Sequence, residues 1–116
     1  MSEGKMEFER RKDPRKSVNF VVLLKIGFVH QGRGHTKNIS ISGIRIEAPS
    51  IFARIRYDKV SELIGSPIKI AFPQESLTIQ GEIVRAFPVQ GEIAVNIKNT
   101  SNDMLWKKMC SQDSGT

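Results

Sequence analysis

Short runs of alternating apolar and polar residues constrain this chain most. "IRIEA" (44–48), "PIKIAF" (67–72) and "LTIQGEIVRAF" (77–87) each put every second residue on one face of an extended segment. A longer run, "VNFVVLLKIGFV" (18–29), is rich in β-branched and aromatic residues and reads as the first strand, with "TKNISI" (36–41) as the second and "IAVNIK" (93–98) as the sixth. Between the first two, the glycines of "HQGRGH" (30–35) predict a turn, "SG" (42–43) breaks the next hairpin, and Gly81 suggests a bulge.

Residues 49–66, "PSIFARIRYDKVSELIGS", lack a clean helical period and are expected to form a connecting loop with a helical turn. "SNDMLWKKMC" (101–110) reads as one amphipathic helix. Ser101 is its expected N-cap, Asp103 suits its first turn, and Lys107 and Lys108 suit its last. Met104, Leu105, Trp106 and Met109 supply the apolar side. Six short strands at close spacing predict a mainly β fold: a six-stranded antiparallel β-barrel, closed to hide its edges, with a C-terminal α-helix capping or flanking it. The 116 residues fit a single domain over 18–110, preceded by a flexible N-terminal arm (1–17) and followed by a disordered tail (111–116).

Several functions are disfavoured at once. Cys110 is the lone cysteine, so no internal disulfide forms, which points to a reducing cytoplasm. One cysteine and two histidines, His30 and His35, make no metal-ligand cluster, and no cofactor is expected. Those histidines flank a glycine turn rather than a Ser/Asp pair. No H-E-x-x-H, G-x-S-x-G or P-loop is present, and the chain reads as non-enzymatic. The longest apolar runs are too short to span a bilayer, and the charged N-terminus lacks the apolar core of a signal peptide. The net charge of +6 favours an anionic partner.

Two features carry chemistry. The first is "RRKDPRK" (10–16), five cations in seven residues, in which Arg11 and Arg15 stand four apart. A guanidinium is planar, permanently charged, and forks two donors toward a guanine edge or a phosphate. Taken alone, such a run also reads as a solvated basic arm or a non-specific nucleic-acid tether. The second is "NISISG" (38–43). Asn38 and Ser40, two apart on a strand, share a face on which both can hydrogen-bond a base, while Ile39 and Ile41 are expected to point into the core. Gly43 permits either a positive-φ turn or close approach of a ligand to bare backbone. Taken alone, this is also an ordinary half-buried strand entering a turn.

Together, "RKDPR" (11–15) and "NISISG" (38–43) resemble the PilZ domain family, which carries an RxxxR motif followed by [D/N]xSxxG at the start of a barrel. "GEIVRAF" (81–87) and the terminal helix are similar to later parts of that family, so the resemblance covers about residues 10–110. It implies a receptor for the bacterial second messenger cyclic di-GMP. Arg11 and Arg15 would clamp guanine and phosphate, Asn38 and Ser40 would meet a guanine on the barrel face, and Gly43 would shape the turn. The arm would order over the ligand and present a new surface to an unidentified effector protein. Arg10, a basic residue just before the first motif, is in this family a companion of a stacked, intercalated ligand pair.

Two departures stand out. Asn38 replaces the commoner Asp, removing a charge-assisted acceptor, and "EIAVNIK" (92–98) lacks the family's usual Gly-hydrophobic-aromatic ending. Three other readings remain. A single-stranded RNA- or DNA-binding barrel is disfavoured because aromatics make up 7% of residues and form no obvious stacking platform. A PilZ-like interaction domain without ligand binding would not need both motifs. A membrane-surface module built on the basic arm lacks a hydrophobic companion, and no membrane insertion is expected.

Overall fold

A computed structural model of the chain describes residues 14–111. Six antiparallel strands close into a barrel: β1 (Val21–Ile26), β2 (His30–Ile39), β3 (Gly43–Glu47), β4 (Pro67–Phe72), β5 (Leu77–Phe87) and β6 (Glu92–Thr100), in the order β1-β2-β3-β6-β5-β4. The alternation in the sequence becomes the inside and outside of this barrel. In β1, Val22, Leu24 and Ile26 are buried while Val21, Leu23 and Lys25 face out; in β4, Ile68, Ile70 and Phe72 are buried. Among the described residues closure leaves no free sheet edge, which a six-strand sheet of this hydrophobicity would otherwise offer to other chains.

The connection expected as a loop with a helical turn holds a short α-helix, α1 (Pro49–Phe52), and a 3-10 helix at Tyr57–Leu63. Ile51, Val60 and Leu63 from this segment join the core, so it covers one mouth of the barrel. The helix α2 (Asp103–Ser111) covers the other through Trp106 and Met109, and Trp106 packs against Phe72 with ring centroids 5.8 Å apart. Its cap is Asn102, whose Oδ1 accepts from the Leu105 N–H at 3.0 Å; the expected cap, Ser101, instead accepts from the Thr78 N–H and ties α2 to β5. Met104, expected on the apolar side, faces solvent.

The first hairpin differs from the sequence reading. The turn lies at 27–29, where Gly27 adopts φ +57°, and "HQGRGH" is strand throughout. Its glycines serve packing. A Cβ at Gly34 would lie 2.6 Å from the Glu47 carbonyl oxygen, and one at Gly32 would lie 2.9 Å from Ile51 Cγ1. Gly81 does sit at a register shift between β5 and β6, as a bulge residue should.

Candidate functional site

The second motif begins where β2 ends. A register shift between Thr36 and Asn38 leaves Asn38 opposite Arg45 on β3 and changes the phase of the alternation. Ile39, the last residue of β2, is therefore buried; in the turn that follows, Ser40 is buried as well and Ile41, expected in the core, is 40% exposed. Ser40 is not on an open polar face but 2% exposed, and its hydroxyl is committed to the turn. It accepts from the Gly43 N–H at 3.1 Å and donates to the Gly43 carbonyl at 3.3 Å, beside a main-chain bond from Ser40 N–H to the same carbonyl at 2.8 Å.

Gly43 does not have positive φ. It opens β3 opposite Asn96, and a Cβ there would lie 3.3 Å from the Val95 carbonyl oxygen and 3.5 Å from Arg15 Nη2. Of the two roles open to this glycine, close approach of other groups is the one the geometry fits.

The structure brings the second half of the first motif to this turn. Arg15 Nη1 donates to Asn38 Oδ1 at 2.5 Å, across 23 residues of chain. The approach is fixed by the next residue: Lys16 and Ile39 exchange main-chain hydrogen bonds at 2.8 and 2.9 Å as an isolated antiparallel bridge. Lys16 Nζ also donates to the Met109 carbonyl at 3.0 Å, a cation on the last turn of a helix, where the dipole favours it. From the other side, Trp106 Nε1 donates to the Ile41 carbonyl at 3.1 Å. The N-terminal approach, the motif turn and α2 thus meet at one mouth of the barrel. Arg10 and Arg11 lie outside the described residues.

Residues that sequence reasoning missed extend this surface. Cross-strand partners place Asn38, Arg45, Ala94 and Arg85 in one row over β2, β3, β6 and β5. Arg45 is held flat, its guanidinium carbon 3.8 Å from the Phe87 ring centroid and its Nε 2.9 Å from Glu92 Oε1. Such stacking and pairing pre-orders a side chain that otherwise has high rotamer entropy. The small Ala94 leaves space between two cations. Arg45 and Arg85 were legible as outward positions of alternating strands, but nothing in the sequence gave the pairing that aligns them with Asn38.

Among the described residues, no group of three or more His, Cys, Asp or Glu could hold a metal ion, and no helix is long and apolar enough to cross a membrane.

Fold and motifs define a small closed β-barrel domain with its motif turn and N-terminal approach at one mouth. The family model of the PilZ domain matches residues 9–108, and the chain belongs to that family. No curated protein matches the sequence. Among solved structures it is similar to the Bacillus subtilis inhibitor of motility, MotI/DgrA, at 17% identity and a TM-score of 0.57. That similarity covers 87% of this chain but 49% of the other, so the chain spans about half the length of that protein. At this identity the likeness is one of fold.

Proposed function

We propose that the chain is a non-enzymatic receptor for cyclic di-GMP that passes the signal to an effector protein when its N-terminal segment closes over the ligand. The observation that carries the reading is the contact between Arg15 and Asn38, one residue from each motif. Asn38 Oδ1 accepts from the Arg15 guanidinium. A guanine edge offers that guanidinium O6 and N7 and offers the amide its own donor and acceptor, so one base can replace the internal bond with contacts to both. Arg11 and Arg10 would supply the remaining forks to phosphate and base. Asn38 forms the polar ledge, and Ser40 and Gly43 shape it rather than reach for the base. Arg45 and Arg85, in line with Asn38, extend the ledge for a second base or phosphate.

Isothermal titration of the full chain with cyclic di-GMP tests this. Each bidentate arginine contact contributes about 1–3 kcal/mol, so Arg15→Ala should weaken binding by about one to two decades. Asn38→Ala should weaken it by about one decade, the loss of one neutral hydrogen bond to a buried partner. Wild-type affinity in both variants would remove these residues from the site. The log–log slope of affinity against salt separates this reading from a polynucleotide groove. Two phosphates allow a slope of at most about two, whereas a longer strand releases more counterions.

A further inference from the structure

Phe28 and Val29 stand at the apex of the β1–β2 turn, 100% and 78% exposed. The turn is held in place, since Gly27 takes the φ of +57° that the reversal needs and its N–H donates to the Pro67 carbonyl at 2.9 Å. A solitary exposed apolar side chain is common on protein surfaces. Here two adjoin at a hairpin apex, where turn-forming polar residues are the rule, and the ground around them is cationic.

A groove of about 350 Å³ on one flank is lined by Arg54, Arg56 and Lys59, and one of about 470 Å³ on the other by Lys25, Lys69 and Lys98. Three carboxylates answer part of this charge: Asp58 pairs with Arg56 at 3.3 Å, Glu62 with Lys59 at 3.5 Å, and Glu82 with Lys98 at 3.5 Å. Lys25, Lys69 and Arg54 have no carboxylate partner among the described residues. Lys25 and Lys69 are moreover direct cross-strand partners on β1 and β4. Like charges in that relation oppose the sheet, so the pair stands against barrel stability rather than for it.

An apolar apex raised above unneutralised cations matches the chemistry of an anionic bilayer surface. Apolar side chains enter the boundary between headgroups and acyl chains, and nearby lysines gain from the surface potential. An acidic protein would match the cations but would also need a pocket shaped for a fully exposed phenylalanine; a bilayer needs none. We infer that the β1–β2 turn is a peripheral docking point for an anionic lipid surface. Sequence reasoning set a membrane role aside for want of a hydrophobic companion, because Phe28 and Val29 were read as the end of a strand. Asn38 lies eight positions beyond His30 in β2, about 25 Å of strand. The docked protein therefore keeps the motif turn facing away from the lipid. The inference stands independently of nucleotide binding.

Co-sedimentation of the full chain with vesicles tests it, using phosphatidylcholine alone and phosphatidylcholine mixed with phosphatidylglycerol. The chain should bind the mixed vesicles and not the neutral ones. Phe28→Ser/Val29→Ser leaves the net charge and the basic N-terminal segment intact, and should lower partitioning about tenfold or more. Lys25→Gln/Lys69→Gln should lower it by about tenfold as well. Lys107→Gln/Lys108→Gln, which removes the same charge from α2, should change it less than about twofold. Wild-type partitioning in the Phe28/Val29 variant would overturn the proposal. So would equal losses in the two lysine variants, or failure of the wild type to bind mixed vesicles. All six positions are exposed, so the variants should fold, with Lys25→Gln/Lys69→Gln unfolding at or above the wild-type temperature and the others at it.

Discussion

Replacing Ser40 by alanine separates two roles that the motif alone cannot distinguish. The hydroxyl is 2% exposed and bonded to Gly43 on both sides, accepting at 3.1 Å and donating at 3.3 Å. In Ser40→Ala, the Gly43 carbonyl keeps its main-chain bond from the Ser40 N–H. The Gly43 N–H loses its acceptor inside a buried turn, and an orphaned buried donor costs about 1–3 kcal/mol. With a urea m-value of about 1.5 kcal/mol/M for a chain of this size, the unfolding midpoint should fall by about 1 M. Trp106, buried and the only tryptophan, provides the fluorescence signal. A midpoint within about 0.2 M of wild type would refute the reasoning. Ser40 would then be free of the turn, and weakened ligand binding in the same variant would make it a direct contact.

Two further substitutions test the frame around the site. Trp106→Phe keeps the ring against Phe72 but removes the Nε1 bond to the Ile41 carbonyl, and should cost about 1–2 kcal/mol by thermal unfolding; an unchanged midpoint would mean that the bond does not form in solution. Gly81→Ala would drive a Cβ into the Asn96 carbonyl oxygen and to 2.8 Å from Val95 Cγ1, where β5 and β6 are bulged. The Asn96 carbonyl is backbone and cannot swing aside, so a loss of about 2 kcal/mol or more is expected, and a wild-type melting temperature would contradict the β5–β6 register.

The parts of this fold legible in sequence are those set by period two. β4 and β5 have the boundaries that "PIKIAF" and "LTIQGEIVRAF" predict. The failures in the first hairpin share a cause, since one symbol, glycine, stands for two physical needs. Gly32 and Gly34 were taken as turn formers, yet they are strand residues whose missing Cβ makes room for Ile51 and the Glu47 carbonyl, contacts from elements distant in sequence. Gly27, inside an unbroken apolar run, gave no sign of the turn it forms. At the site, the spacing of Asn38 and Ser40 implied a shared outward face, but β2 ends at Ile39, and the turn that follows, in which the Ser40 hydroxyl bonds Gly43, puts Ser40 inward and Ile41 outward. Where a strand gives way to such a turn depends on the partner strands, which local pattern does not contain.

In the proposed receptor, the position of Lys16 would decide how a signal leaves the site. Arg15, which reaches Asn38, is one residue from a main-chain bridge to Ile39, and the Lys16 ammonium holds the last turn of α2. Trp106 ties the same helix to Ile41 inside the motif. A ligand that draws Arg15 from Asn38 would therefore act on a segment joined through Lys16 both to α2 and to Ile39, while Trp106 joins α2 to the motif turn. It can displace α2 only by as much free energy as it gains from the new position of Arg15 over the old. Severing one tie should uncouple ordering of the segment from movement of the helix without abolishing the Arg15–Asn38 contact proposed to sense the ligand. Lys16→Met removes the ammonium from the Met109 carbonyl and keeps the main-chain bridge. Affinity in that variant should stay within about threefold of wild type, while the ligand-induced change in Trp106 fluorescence should shrink. If affinity collapses and the fluorescence change persists in the fraction bound, Lys16 is part of the ligand site and α2 receives the signal by another route.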